Sequence, residues 1–140
     1  MPTGSVPFVE IVAALFVEGI DFRQVAGPST RIDITGAYFS TRIESFPTVF
    51  TPHLLVLLRA ESDEGRNGTL EVTFVRVDGA GEAGEEVGRS RQPVYINPPG
   101  TFFRQLVRPE LSFDGPGAVE ARCVVPETGS RVTVPLTVIG

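Results

Sequence analysis

The chain has 140 residues, of which 41% are hydrophobic and 21% charged; this composition is typical of one globular domain and excludes disordered and collagen-like chains. The formal net charge is -5 and all twelve basic residues are arginines at scattered positions, so nucleic acid is not an expected partner. Without lysine, Schiff-base catalysis and a Walker-type phosphate site are excluded. We expect a single domain over residues 1–140.

The N-terminal apolar run, from Phe8 to Val17, predicts a strand, because it is rich in β-branched residues and no helix N-cap precedes it. Its longest uninterrupted part, Ile11 to Val17, is too short to span a membrane. No positively charged region precedes that part, as a secretory signal would require. We therefore expect no membrane partner and a cytoplasmic location.

Apolar and polar residues alternate in three segments, which is typical of strands with one buried face. The apolar positions of the three are Ile32, Ile34 and Tyr38, then Leu70, Val72 and Phe74, and finally Val132, Val134, Leu136 and Val138. Pro135 predicts an edge or a bulge in the last segment, since proline cannot donate to a ladder. The run from His53 to Ala60 is apolar without alternation and predicts a central strand covered on both faces.

Turn residues separate these segments. Asn67-Gly68 predicts the turn of a hairpin, because this dipeptide readily adopts positive φ angles. The Gly- and Glu-rich segment Asp78 to Gly88 predicts a solvated loop, and Pro98-Pro99-Gly100 predicts a further break. The segment Glu127 to Ser130 predicts the turn before the last strand.

Together these signals predict an all-β fold of about eight or nine strands without a ten-residue amphipathic helix. An antiparallel two-sheet β-sandwich of immunoglobulin-like type fits them best. A small β-barrel is the alternative architecture.

No group of residues suited to catalysis, cofactor binding or metal binding is evident. His53 is the only histidine, so a catalytic triad or histidine-based metal centre is not expected. Cys123 is the only cysteine and shares a face with apolar neighbours, which predicts a buried, unreactive side chain. The acidic loop residues predict solvated charge, with a calcium site as the other interpretation; these residues are Asp63, Glu64, Asp78, Glu82, Glu85 and Glu86.

Four phenylalanines near chain breaks form the candidate interaction surface: Phe46, Phe50, Phe102 and Phe103. If they meet at one end of a sandwich, they would form an apolar patch for a protein partner or a second copy of the chain. The alternative is that they close the end of the core.

The chain resembles a family of small uncharacterised bacterial β-sandwich proteins with an immunoglobulin-like appearance. The resemblance rests on the opening apolar strand Val9 to Val17, on Ile32-Asp-Ile-Thr-Gly36 leading to Ser45-Phe46-Pro47, on the strand Leu54 to Arg59 and on the closing Val134-Pro-Leu-Thr-Val138. It implies the sandwich fold and implies no activity or functional residue.

The resulting hypothesis is a non-catalytic structural or protein-interaction module that binds protein, including itself, through sheet edges or loop ends. The alternative is a small-ligand or carbohydrate-binding sandwich, although Tyr38 and Tyr95 are the only tyrosines and tryptophan is absent. An enzyme would have to rely on carboxylates alone, so we expect no enzymatic activity.

Overall fold

The computed structural model describes residues 9–24, 30–60, 66–77, 83–97 and 101–140. These residues form eleven strands and no helix. The strands are β1 (Glu10–Gln24), β2 (Thr30–Tyr38), β3 (Ser40–Arg42), β4 (Thr48–Phe50), β5 (His53–Arg59), β6 (Asn67–Val77), β7 (Ala83–Tyr95), β8 (Phe102–Val107), β9 (Leu111–Phe113), β10 (Gly117–Val125) and β11 (Ser130–Ile139). The number exceeds eight or nine because β3, β4 and β9, at three residues each, are too short to show an alternating pattern.

Two open sheets make up most of the described structure. The first sheet has the strand order β2-β1-β5-β8 and the second has the order β3-β11-β10-β6-β7, while β4 and β9 form a separate short pair. Neither sheet closes on itself within the described residues, so the predicted two-sheet β-sandwich is confirmed and the barrel alternative is wrong.

In the second sheet, β10 lies between β11 and β6, and β3 and β7 are its edge strands. All pairings in the two sheets are antiparallel except that of β3 with β11, which places Ser40 opposite Thr137. The prediction of an antiparallel sandwich therefore holds with this one parallel exception.

The core lies between the two sheets and is built from alternating residues. In β11, Val134, Leu136 and Val138 are buried, as their spacing predicts, while Pro135 and Thr137 are exposed. Pro135 pairs with β10 and lies outside the part of β11 that β3 covers, which explains how a proline is accommodated there. The core continues through Leu70, Val72 and Phe74 of β6 and Leu54, Val56 and Leu58 of β5.

The central position predicted for β5 is confirmed, since it pairs with β1 on one side and with β8 on the other. Leu54 and Leu55 are both nearly inaccessible to solvent although they face opposite sides of the sheet. The strand predicted from Phe8 to Val17 is confirmed from Glu10 onward and extends to Gln24, while Phe8 lies outside the described residues.

Two turn predictions are wrong. Asn67 and Gly68 lie inside β6, opposite Tyr95 and Val94, and the chain passes from β5 in one sheet to β6 in the other rather than through a hairpin. The dipeptide by itself does not distinguish a hairpin turn from a position inside a strand. Of the predicted loop Asp78 to Gly88, residues 78–82 lie outside the described residues, and the residues from Ala83 onward belong to β7.

Replacement of a core residue tests the sandwich directly. Leu136 is completely buried, and Leu136→Ala is expected to lower the free energy of unfolding by about 2–5 kcal/mol through lost burial and a new cavity. Thr137→Ala, on the exposed face of the same strand, should change it by no more than about 0.5 kcal/mol. Urea unfolding followed by circular dichroism measures both, and equal effects would contradict the assigned faces of β11.

Candidate functional site

The second half of β1 forms a two-stranded extension of the first sheet. Residues 10–17 of β1 pair with β5, whereas residues 16–24 pair with β2. From Gly19 onward, β2 is therefore the only strand paired with β1 in the described structure. We call residues 19–24 and 30–35 the ribbon; at about 3.3 Å per residue each of its strands is about 20 Å long.

The ribbon has an apolar and an acidic row. Ile20 lies opposite Ile34, and the side chain of Ile34 is 39% exposed. On the other face, Asp21 lies directly opposite Asp33. A two-stranded ribbon is marginally stable by itself. The ribbon thus combines exposed apolar surface on one face with two carboxylates in register on the other.

A cleft of about 470 Å³ lies at the base of the ribbon, where the chain leaves β2 in the first sheet and enters β3 in the second. It is bordered by Val17, Glu18, Gly36, Ala37, Tyr38, Ser40, Thr41, Phe50, Thr51 and His53. One carboxylate, one phenol, one imidazole and several hydroxyl groups therefore surround it. These groups can accept and donate hydrogen bonds to a polar ligand or to a peptide backbone.

Gly36 gives the cleft its shape. Its φ of 62° is in the left-handed region, and the Glu18 side chain lies directly over it, where a Cβ would overlap Glu18 Oε1. Only glycine combines this backbone conformation with this close approach. The carboxylate of Glu18 is thereby kept close to the backbone of β2, beside Tyr38.

Tyr38 is half-buried at the cleft wall. Its ring is tilted by 36° against the ring of Phe16, with 6.2 Å between the ring centroids. Burial raises the pKa of the Tyr38 phenol above its ordinary value of 10.0, and the negative charge of Glu18 raises it further. Tyr38 is therefore a neutral hydrogen-bonding group at physiological pH.

Two kinds of arrangement were sought at the cleft, an oriented histidine base and a metal site. Within the described residues, the His53 ring has neither a hydrogen bond nor an ion pair that would orient it. A group of three His, Cys, Asp or Glu side chains able to hold a metal ion is absent from the same part of the chain. The arrangement is suited to binding by hydrogen bonds and contact.

The four candidate phenylalanines do not meet at one end. Phe50 lies at the cleft, near the start of β5, whereas Phe102 lies opposite Arg59 at the other end of β5, about 20 Å away by strand rise. Phe46, Phe50 and Phe103 are half-buried and pack against the core, while Phe102 is 60% exposed. The role of these residues in an interaction stays a prediction; only Phe50 borders the cleft.

Cys123 is buried in the core, as the sequence predicts. Burial raises the pKa of its thiol from 9.0 to about 12, which makes thiolate chemistry inaccessible in the folded protein. Among the candidate calcium ligands, Asp63, Glu64, Asp78 and Glu82 lie outside the described residues. Glu85 and Glu86 lie in β7, and Glu86 is paired with Arg89 at 2.7 Å.

The outer faces of the two sheets differ in polarity. In the first sheet, Leu15, Leu55 and Leu106 form one cross-strand row on the side away from the core. The comparable row of the second sheet consists of Thr133, Arg122, Thr73 and Arg89. A polar outer face is usual for an antiparallel sandwich, so the leucine row is the exception. Among the described residues we find no helix of sufficient length and apolarity to cross a bilayer.

Sequence patterns did not predict that Glu18 and Tyr38 lie together at the cleft, because the two residues are twenty positions apart in the chain. The isolated Gly36 inside an alternating segment was a usable signal, since such a glycine often marks a bulge or a close approach. Comparison with known proteins adds nothing to this assignment: the chain matches no protein-family model and no curated protein.

Gly36→Ala tests the geometry of the cleft. The left-handed φ alone is expected to lower the free energy of unfolding by about 1–2 kcal/mol, and the overlap with Glu18 should add to this. The double variant Gly36→Ala with Glu18→Ala should recover the part of this loss that the overlap causes and retain the part that the left-handed φ causes. Urea unfolding measures both, and a fully tolerated Gly36→Ala would contradict the described geometry.

Titration of Tyr38 tests its contact with Glu18. In a Tyr95→Phe background, Tyr38 is the only tyrosine, so ultraviolet absorbance reports its ionisation alone. Glu18→Gln is expected to lower the pKa of Tyr38 because it removes a nearby negative charge. Glu85→Gln, on β7 of the other sheet, is the matched control and should leave the titration unchanged.

The raised pKa of the buried Cys123 thiol predicts that the protein loses stability in alkaline solution. The unfolded thiol ionises above its ordinary pKa of 9.0 whereas the folded thiol stays neutral to about 12, so stability falls as pH rises through this interval. Between about pH 8 and about pH 10.5 the wild type should lose about 2 kcal/mol more than Cys123→Ala. Parallel slopes for the two proteins would show that the thiol is not buried.

Proposed function

We propose that the protein is a non-catalytic interaction module that binds protein by adding a strand to the ribbon. The observation that carries this proposal is the edge of the ribbon: among the described residues, β1 pairs with β5 only as far as Val17, and β2 is the edge strand of its sheet. Such an edge offers unpaired backbone groups to an extended segment of another chain.

The side chains of the ribbon support this mode. Ile34 is 39% exposed and Ile32 is half-buried, so an added strand could cover apolar surface while it satisfies backbone groups. The other long edge, β7, is protected by Pro93 and by register shifts near Val75. Natural sheets use such devices against unwanted pairing, and residues 30–35 contain neither a proline nor a register shift.

A small-ligand site in the cleft is the second candidate. Its support is the hydrogen-bonding lining around Glu18 and Tyr38. The tilted contact with Phe16 leaves Tyr38 a poor platform for a sugar ring, and Tyr95 lies on β7 of the other sheet. A ligand in this cleft would therefore be recognised mainly through hydrogen bonds.

Site-specific cross-linking tests the proposed function. A photo-reactive amino acid in place of Ile34 is expected to cross-link to protein in extract of the cells that naturally make this chain. The same amino acid in place of Thr133, exposed on the outer face of the second sheet, is the control and should give no such product. Absence of cross-linked protein at Ile34, or equal products at both positions, would contradict binding at the ribbon.

A further inference from the structure

The cleft at the base of the ribbon contains a carboxylate and no basic side chain to pair with it. Glu18 is the only acidic residue among the described residues that border the cleft, and none of these residues is an arginine. Within the described structure Glu18 makes no ion pair. The segments outside the described residues contain neither arginine nor lysine, so they cannot supply a basic side chain. The carboxylate is therefore available to a cation from another molecule.

This carboxylate is held against the backbone of β2. The Cγ, Cδ and Oε1 atoms of Glu18 all lie where a Cβ of residue 36 would be, which only the glycine at that position permits. Glu18 is nevertheless exposed to solvent, so a ligand can reach it. An acceptor whose position is set before binding loses less conformational freedom when a ligand arrives. The geometry at Gly36 thus prepares Glu18 for binding.

The groups around Glu18 are neutral acceptors of hydrogen bonds. Tyr38 is half-buried beside it, and its raised pKa keeps the phenol uncharged at physiological pH. Ser40, Thr41 and Thr51 add three hydroxyl groups to the border of the cleft. An ammonium group has three N–H donors and a guanidinium group has five, more than one carboxylate can accept in good geometry. The phenol and hydroxyl oxygens can accept the donors that remain.

The ring of Phe50 adds an apolar wall to the same cleft. Phe50 is half-buried and packs against the core, so its position is fixed by the sandwich. An aromatic ring favours the alkyl part of an organic cation by contact and its charged group by cation–π attraction. A volume of about 470 Å³ suits a small organic molecule or one long side chain.

Other classes of ligand fit these residues less well. An anion would be repelled by Glu18 and would find no basic side chain at the border of the cleft. A calcium ion takes six to eight oxygen ligands, usually from several carboxylates. The described residues contain no group of three His, Cys, Asp or Glu side chains that could hold a metal ion. Charge and donor count therefore both favour an organic cation.

We propose that the cleft binds an ammonium or guanidinium group, which pairs with Glu18 and donates its other hydrogens to Tyr38 and the neighbouring hydroxyl groups. A free small amine and the lysine or arginine side chain of a peptide carry this same chemistry. The inference rests on the second candidate function, since it names the ligand class of the cleft. It is independent of strand addition at the ribbon.

Titration of the ¹⁵N-labelled protein with N-acetyl-arginine amide, followed by NMR at pH 7.5 and low salt, tests the inference. Shifts are expected at the backbone amides that border the cleft, Gly36, Ala37, Tyr38 and Ser40. N-acetyl-citrulline amide, which has an uncharged urea group in place of the guanidinium group, is the matched control probe and should shift none of them. Added salt should weaken the binding of the charged probe, because it screens exposed charges.

Two variants identify the recognising group. Glu18→Gln keeps the size of the side chain and removes its charge, so the charged probe should bind roughly three- to tenfold more weakly. Glu85→Gln, an exposed change on β7 of the other sheet, is the matched control and should bind like the wild type. Neither exposed change is expected to unfold the protein.

The ionisation of Tyr38 gives a second readout at the same site. In a Tyr95→Phe background, saturating N-acetyl-arginine amide should lower the pKa of Tyr38, because it brings a positive charge close to the phenol. N-acetyl-citrulline amide should leave the pKa unchanged. A charged probe that bound elsewhere on the protein would not move this titration.

A further probe separates the two sources of the cation. Butylguanidine carries the guanidinium group without peptide groups. Equal affinity for butylguanidine and N-acetyl-arginine amide indicates that the cationic group alone is recognised, as for a free small amine. Tighter binding of N-acetyl-arginine amide indicates the side chain of a peptide.

The remaining outcomes overturn the inference. Equal shifts with the charged and uncharged probes, or unweakened binding to Glu18→Gln, would contradict recognition by charge and leave a ligand site of another kind in the cleft. Absence of shifts with all three probes would contradict the inference while the cross-linking experiment at position 34 still decides strand addition.

Discussion

The structure depends on the unequal pairing of β1 along its length. Its first half is held between the core and β5, where Phe16 lies opposite Leu54 and both are completely buried. Its second half continues past the end of β5 with β2 as its paired strand. One strand therefore links the buried core to the two-stranded ribbon. Because β1 is continuous, its packed half sets the direction in which the ribbon leaves the sandwich.

The two sheets differ in the polarity of their outer faces. The inner face of the first sheet belongs to the core, while its outer face carries the leucine row that includes Leu55. Leu55 is nearly inaccessible to solvent, whereas Leu15 and Leu106 are half-buried. The outer face of the second sheet is polar, and Glu71 and Arg91 form an ion pair on it. Burial of apolar side chains therefore extends to the outer side of the first sheet.

Sequence patterns predicted the residues that pack and missed the contacts that lie far apart. The alternation from Val134 to Val138 gave the correct buried face because period two is imposed by strand geometry. The same alternation at Ile32 and Ile34 predicted a strand correctly, but alternation cannot say whether another layer covers the apolar face, and Ile34 is exposed. The cleft could not be predicted from the sequence, because it forms where the chain passes from β2 in the first sheet to β3 in the second.

The contacts of β11 with early strands have a consequence for folding. The backbone N–H of Ile11 in β1 donates to the Ser130 side chain at 2.9 Å, and β3 pairs in parallel with β11. Both contacts join residues about a hundred positions apart in the chain, and such long-range pairings slow folding. Because translation proceeds from the N-terminus, β1 and β3 are synthesised before the strand that completes these contacts.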